Sequence, residues 1–131
     1  MPDINIWAVL IAAASSFLLG GLWYSPMVFE KTWNRESGRP EAPRTRHPAI
    51  VFGLSFVLAV IAAFAFAWWL GPNPELTHAL CMGLGVGAFW VATSFGINYL
   101  FAGRSLTLWL IDAGYHVLQF AIFGLVLGLW H

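Results

Sequence analysis

The chain has 131 residues, 60% of them hydrophobic and only 9% charged, with a formal net charge of zero. So apolar a balance excludes a water-soluble fold, and without a strongly basic region nucleic acid is not an expected partner. The single cysteine, Cys81, can make no intrachain disulfide and is expected to be a small packing residue.

Four apolar stretches, about residues 5–24, 49–70, 77–101 and 106–130, organise residues 1–131 as a single integral membrane domain. Each reaches about 20 residues or more, the length that crosses a hydrocarbon core about 30 Å thick at 1.5 Å per residue. Lipid offers the backbone no hydrogen-bond partners, so each stretch is expected to be a helix. The alternating segments of about 10 residues that mark a transmembrane barrel do not occur. The expected fold is therefore all-α, a four-transmembrane-helix bundle. The first stretch imitates a signal peptide, with small residues at Ala12, Ala13 and Ala14. It lacks a basic n-region and continues through Leu22, so it is expected to remain as a span.

In the first span Ala8, Ala12, Ser16 and Gly20 recur every four residues, a ridge of small side chains that admits a close neighbour. Trp23 and Tyr24 suit the headgroup level, and Pro26 disfavours continued helix at Ser25. Met27–Glu36 predicts a short interfacial helix with Phe29 and Trp33 on one face and Lys31 and Arg35 on another, lying on anionic lipid. It opens a loop over 27–48 that also holds Arg39, Arg44 and Arg46, opposed by Glu30, Glu36 and Glu41. The sixth basic residue, Arg104, falls in the turn between the third and fourth spans. The positive-inside rule then places both basic connections in the cytoplasm and both termini outside, in a bacterial cytoplasmic (inner) membrane. An asymmetry this complete argues against a chain that inserts both ways.

The second span has no ionisable residue and ends in Phe64, Phe66, Trp68 and Trp69, which predicts a lipid-facing helix with an aromatic belt. Gly71-Pro72-Asn73-Pro74 is a turn, followed by start signals at Glu75 and Thr77. Ala79, Gly83 and Gly87 form a second small-residue ridge in the third span. Gly103 suits a helix C-terminus and Ser105 an N-cap, so the last two spans are expected to make a tight antiparallel hairpin. Gly124 and Gly128 form a third ridge in the fourth span.

Asp112 and His116 are the strongly ionisable residues well inside a span. Four apart, they share one face of the fourth helix, with Tyr115 and Gln119 within about 100° of it. In the expected hairpin, Asn98 is level with Asp112 and Ser94 with His116, so two polar pairs would meet across one seam if the rotational phase allows. A charge at this depth costs several kcal/mol unless it is paired, hydrogen-bonded or neutralised. Two readings of the cluster stay open: a ligand- or proton-binding site, and a clasp that fixes helix register. His47 lies in the basic loop, and His78 should sit roughly 24 Å in depth from His116. His78 and His131 would meet only at a wet interface, so no metal site is expected. A single histidine such as His116 could ligate a chlorophyll-type pigment or haem; apart from that, no cofactor is expected. No nucleophile–base arrangement, phosphate loop or zinc spacing is present, so the protein is not expected to be an enzyme.

Three strings resemble a family of small bacterial integral membrane proteins, DUF1761. They are Gly20-Gly21-Leu22-Trp23-Tyr24-Ser25-Pro26 with Phe29-Glu30-Lys31-Thr32-Trp33; Asn98-Tyr99-Leu100-Phe101 running on to Arg104; and Leu110-Ile111-Asp112-Ala113-Gly114-Tyr115-His116 followed by the Gly124 and Gly128 segment. The resemblance covers nearly the whole chain in order; Glu30 departs from the glycine that often precedes the lysine. It implies four spans and a polar cluster, and it supplies no mechanism.

Because one four-helix bundle has limited interior for three small-residue ridges, the leading expectation is a non-enzymatic membrane protein acting by helix–helix association. It would be a homo-oligomer or a small subunit of a larger membrane assembly. The alternative is a small proton-coupled carrier or channel built on Asp112 and His116.

Overall fold

The computed structural model describes residues 4–25, 27–37 and 48–130. Pro26, Arg39, Glu41, Arg44, Arg46, His47 and His131 lie outside the described residues. The elements are α1 (Ile6–Trp23), α2 (Glu30–Ser37), α3 (Pro48–Leu70), α4 (Leu76–Gly85), a π-helical stretch (Val86–Val91), α5 (Ala92–Ala102) and α6 (Leu106–Leu129). The third span thus runs as α4, π-helix and α5 in sequence. Four helices are long and apolar enough to cross a membrane, at 6–23, 49–70, 76–102 and 106–129. This is the expected all-helical, four-span architecture of a multi-pass membrane protein. Large apolar side chains cover its outside, Leu18 and Leu100 among them, an arrangement that lipid favours and water would penalise.

The helix ends follow from residue type. The Asn5 side chain caps α1 by accepting from the amides of Trp7 and Ala8. Gly103 closes α5 in the left-handed conformation, φ 70°, and Ser105 Oγ accepts from the Leu108 amide to open α6. The two caps lie two residues apart, which makes the α5–α6 turn tight. The α1–α2 and α5–α6 connections share one end of the bundle, called here the basic end, with Lys31, Arg35 and Arg104.

Helix α6 is the hub: it is the most buried span and packs against every other helix. Its closest partner is α4. A Cβ on Gly83 would lie 2.2 Å from the carbonyl oxygen of Phe120, and one on Gly124 2.2 Å from that of Ala79. Gly87 against Val117 and Gly128 against Leu76 continue the same backbone-to-backbone seam. On the other side Ala8, Ala12 and Ser16 of α1 are fully buried among Ala59, Ala63 and Ala67 of α3 and Phe123 and Leu127 of α6. Gly20, the last of that ridge, leaves room for the Tyr115 ring. All three small-residue ridges are therefore used within one chain. The premise that they exceed what one bundle can employ does not hold, because α6 takes up two of them on opposite flanks.

The π-helical stretch is the main departure from regular helix. The Ala92 amide bonds back to Gly87, five residues earlier, and the widened turn accommodates one additional residue. In an unbroken α-helix at about 100° per residue, Ser94 and Asn98 would stay on the face of Ala79, Gly83 and Gly87. With one residue added, the face in contact with α6 passes from Gly87 to Ala92, which is buried, and on to Phe95, Gly96 and Tyr99. Ser94 and Asn98 turn to the outside, where both are exposed. The stretch keeps its polar groups satisfied. Thr93 Oγ1 donates to the carbonyls of Phe89 (2.7 Å) or Trp90 (3.0 Å), and Trp109 Nε1 donates to that of Ala92 at 2.9 Å.

Candidate functional site: a carboxylate tied to three segments

Asp112 sits one and a half turns into α6 and is 9% exposed. Its carboxylate accepts hydrogen bonds from three other parts of the chain. Tyr24, at the end of α1, donates its hydroxyl to Oδ1 at 2.5 Å. Trp33, in the middle of α2, donates Nε1 to the same oxygen at 3.1 Å. Tyr99 of α5 donates its hydroxyl to Oδ2. All three donors are neutral, so they satisfy the carboxyl oxygens without bringing a counter-charge into the bundle.

The chain reversal after α1 brings these donors into place. The Phe29 amide donates to the Trp23 carbonyl and the Glu30 amide to that of Ser25, folding α2 back under the bundle. Trp23 and Phe29 pack with ring centroids 4.9 Å apart, and Tyr24 meets Trp33 edge-on at 6.2 Å. Trp23 Nε1 also donates to the Ile111 carbonyl at 2.9 Å, its ring lying against Gly114 where a side chain would crowd it. Tyr115 donates to the Ser16 carbonyl at 3.0 Å, a second tie between α6 and α1. The hydrophobic face expected to lie on lipid instead faces the protein: Phe29 and Trp33 turn onto the bundle while Lys31 and Arg35 stay exposed. A carboxylate acceptor within reach outcompetes lipid for the indole N–H.

The expected polar group divides in two. Asp112, Tyr115, His116 and Gln119 do share the inner face of α6, and His116 Nδ1 pairs with Gln119 Oε1 at 2.8 Å. Ser94 and Asn98 do not join them. Phe95 stacks on the His116 ring at 4.8 Å, and Tyr99 takes the place opposite Asp112. The depth matching along the hairpin holds to one residue, and the π-helical stretch supplies that residue of rotation. Sequence reasoning missed Phe95 and Tyr99 for this reason, since nothing in the string around Val86–Val91 announces a widened turn. Ser25 of the interfacial motif donates to the Leu22 carbonyl, finishing α1. Among the described residues no group of three or more His, Cys, Asp or Glu side chains is placed to hold a metal ion.

Among the described residues Trp33 is what ties α2 to Asp112, so Trp33→Phe should loosen α2 and leave the spans intact. Limited trypsin digestion followed by peptide mass analysis should show faster cleavage after Lys31 and Arg35, with thermal unfolding lowered by only about 1 kcal/mol. Wild-type cleavage rates at both sites would mean that α2 is held by something else.

The three strings singled out in the sequence meet at this carboxylate: the first contributes Tyr24 and Trp33, the second Tyr99, and the third Asp112 itself. No curated protein and no solved structure matches the chain. The model of a family described as "Protein of unknown function (DUF1761)" matches residues 7–128, and with nearly its whole length covered, the chain belongs to the DUF1761 family.

Proposed function

We propose that this is a non-enzymatic membrane protein that works by association, as a homo-oligomer or a small subunit of a larger assembly, and that Asp112 is the clasp that keeps its basic end rigid. The observation that carries the clasp is the convergence of Tyr24, Trp33 and Tyr99 on one carboxylate, and what supports association is the exposed polar pair Ser94 and Asn98 on an otherwise apolar span. A carboxylate already holding three donors from three segments is set up to fix geometry, and a transported ion would have to displace them. His116, stacked on Phe95 and bonded to Gln119, is likewise accounted for without a pigment or haem. Lys31, Arg35 and Arg104 at one end support an orientation with that end in the cytoplasm of a bacterial inner membrane and the termini outside, the basic face of α2 toward anionic headgroups.

One observation favours the carrier reading as well: Asp112, His116 and Gln119 make a continuous polar stripe facing the interior of a span. The two separate in liposomes loaded with a pH-sensitive dye. Asp112→Asn is expected to melt earlier than the wild type and to leave proton flux at the background of empty vesicles, as in the wild type. Flux in the wild type that disappears in a folded Asp112→Asn variant would replace the clasp with a proton site.

A further inference from the structure

We infer that the outward face of α5 around Ser94 and Asn98 is the surface on which a second copy of this chain docks. The inference rests on the association reading and names its interface.

Ser94 and Asn98 are four residues apart and exposed on one face. On that face the neighbours are apolar: Ile97 is 58% exposed and Phe101 91%. Leu100 and Phe101 lie between Asn98 and the end of the helix, so the apolar belt continues past the amide to the basic end. The amide is thus inside the belt, and it makes no hydrogen bond with the described residues. Thr93, the neighbouring hydroxyl, is already spent on backbone carbonyls. A primary amide facing hydrocarbon is strongly disfavoured unless another polar group reaches it. Among the described residues α5 packs on α6 through its other side, by Phe95 and Tyr99.

The chemistry of the pair selects the occupant. An asparagine amide both donates and accepts, and so does a serine hydroxyl, so each residue is complementary to itself. About a two-fold axis along the membrane normal, Asn98 meets Asn98 and Ser94 meets Ser94 at equal depth, with Ile97 and Phe101 closing the apolar surround. A different partner would need polar groups matching both positions at both depths; a second copy has them by construction. Buried Asn–Asn pairs fix register in helix pairs generally, which gives the interface a defined alignment.

The test uses the full chain in nanodiscs and in native membranes, with Cys81→Ser as background because Cys81 is itself exposed. The wild type is expected to be a dimer by native mass spectrometry. Asn98→Leu should weaken association by about tenfold or more while melting like the wild type, since Asn98 is exposed and makes no hydrogen bond with the described residues. Asn98→Cys should cross-link to itself in membranes, and Leu54→Cys, exposed on α3, should not. A dimer that is indifferent to Asn98→Leu and cross-links only through Leu54→Cys would overturn this interface while leaving association standing. A monomer in both settings would overturn both. A different polypeptide cross-linked through Asn98→Cys would overturn the second copy as occupant.

Discussion

Gly83→Ala and Gly124→Ala are each expected to cost about 3 kcal/mol or more and to strip most of the folded protein from a detergent extract. In either variant the new Cβ would sit 2.2 Å from a carbonyl oxygen of the facing helix, Phe120 in one case and Ala79 in the other. A side chain in the way can rotate; a helical backbone can only back off, and it takes the length of the seam with it. The oxygens in question also belong to helical carbonyls, so moving them disturbs hydrogen bonds that lipid cannot replace. Gly85→Ala is the matched control. A Cβ there meets nothing within 4 Å, so this variant should extract and melt like the wild type or slightly above it. Thermal unfolding followed by size-exclusion fluorescence would compare the three. Gly83→Ala melting with Gly85→Ala would mean that α4 and α6 do not approach as closely as described.

Asp112→Ala should be nearly as damaging, and for an electrostatic rather than a steric reason. It leaves Tyr24, Trp33 and Tyr99 with buried or half-buried donors and no acceptor. Hydrogen bonds to a charged group contribute about 1.5–3 kcal/mol each in soluble proteins, and polar contacts between membrane helices roughly 0.6–2 kcal/mol. Because the three share one acceptor the losses do not add, and a total of about 3–5 kcal/mol is expected. Tyr24→Phe and Tyr99→Phe should each cost about 1–2 kcal/mol, leaving the carboxylate two remaining donors. Combining Tyr24→Phe with Asp112→Asn should then cost less than the two separately, a coupling measurable by equilibrium unfolding in mixed micelles. Additive losses would show that the Tyr24 hydroxyl and the carboxylate do not depend on one another.

The spans were legible in the sequence because bilayer thickness leaves a signature in length and composition alone. The Gly103 and Ser105 caps were legible because residue type decides the conformation at a helix end. Asp112 stood out for a similar reason, as an ionisable group where such groups are expensive. Rotation about a helix axis was less accessible. The depth match of Ser94 and Asn98 to α6 left their rotational phase open, and the π-helical stretch adds one residue of turn that composition does not record. Phe29 and Trp33 show a second limit. An amphipathic helix reveals that it has an apolar face, but whether lipid or protein meets that face depends on a chain reversal at Ser25 and on an acceptor 79 residues further along.

That separation has a consequence for the order in which the protein can assemble. Tyr24 lies 88 residues and Trp33 79 residues before Asp112, whereas Tyr99 is only 13 away. At about 5–20 residues per second of synthesis, Tyr24 waits roughly 4–18 s after emerging before its acceptor exists. The α5–α6 hairpin can close on itself at once, but α1 and α2 must hold station at the bilayer boundary until the last span arrives. Indole and phenol rings are the side chains that rest most comfortably at that boundary, apolar body in lipid and polar tip in water. Here the groups obliged to wait longest are of the kind that the membrane surface can keep in place meanwhile.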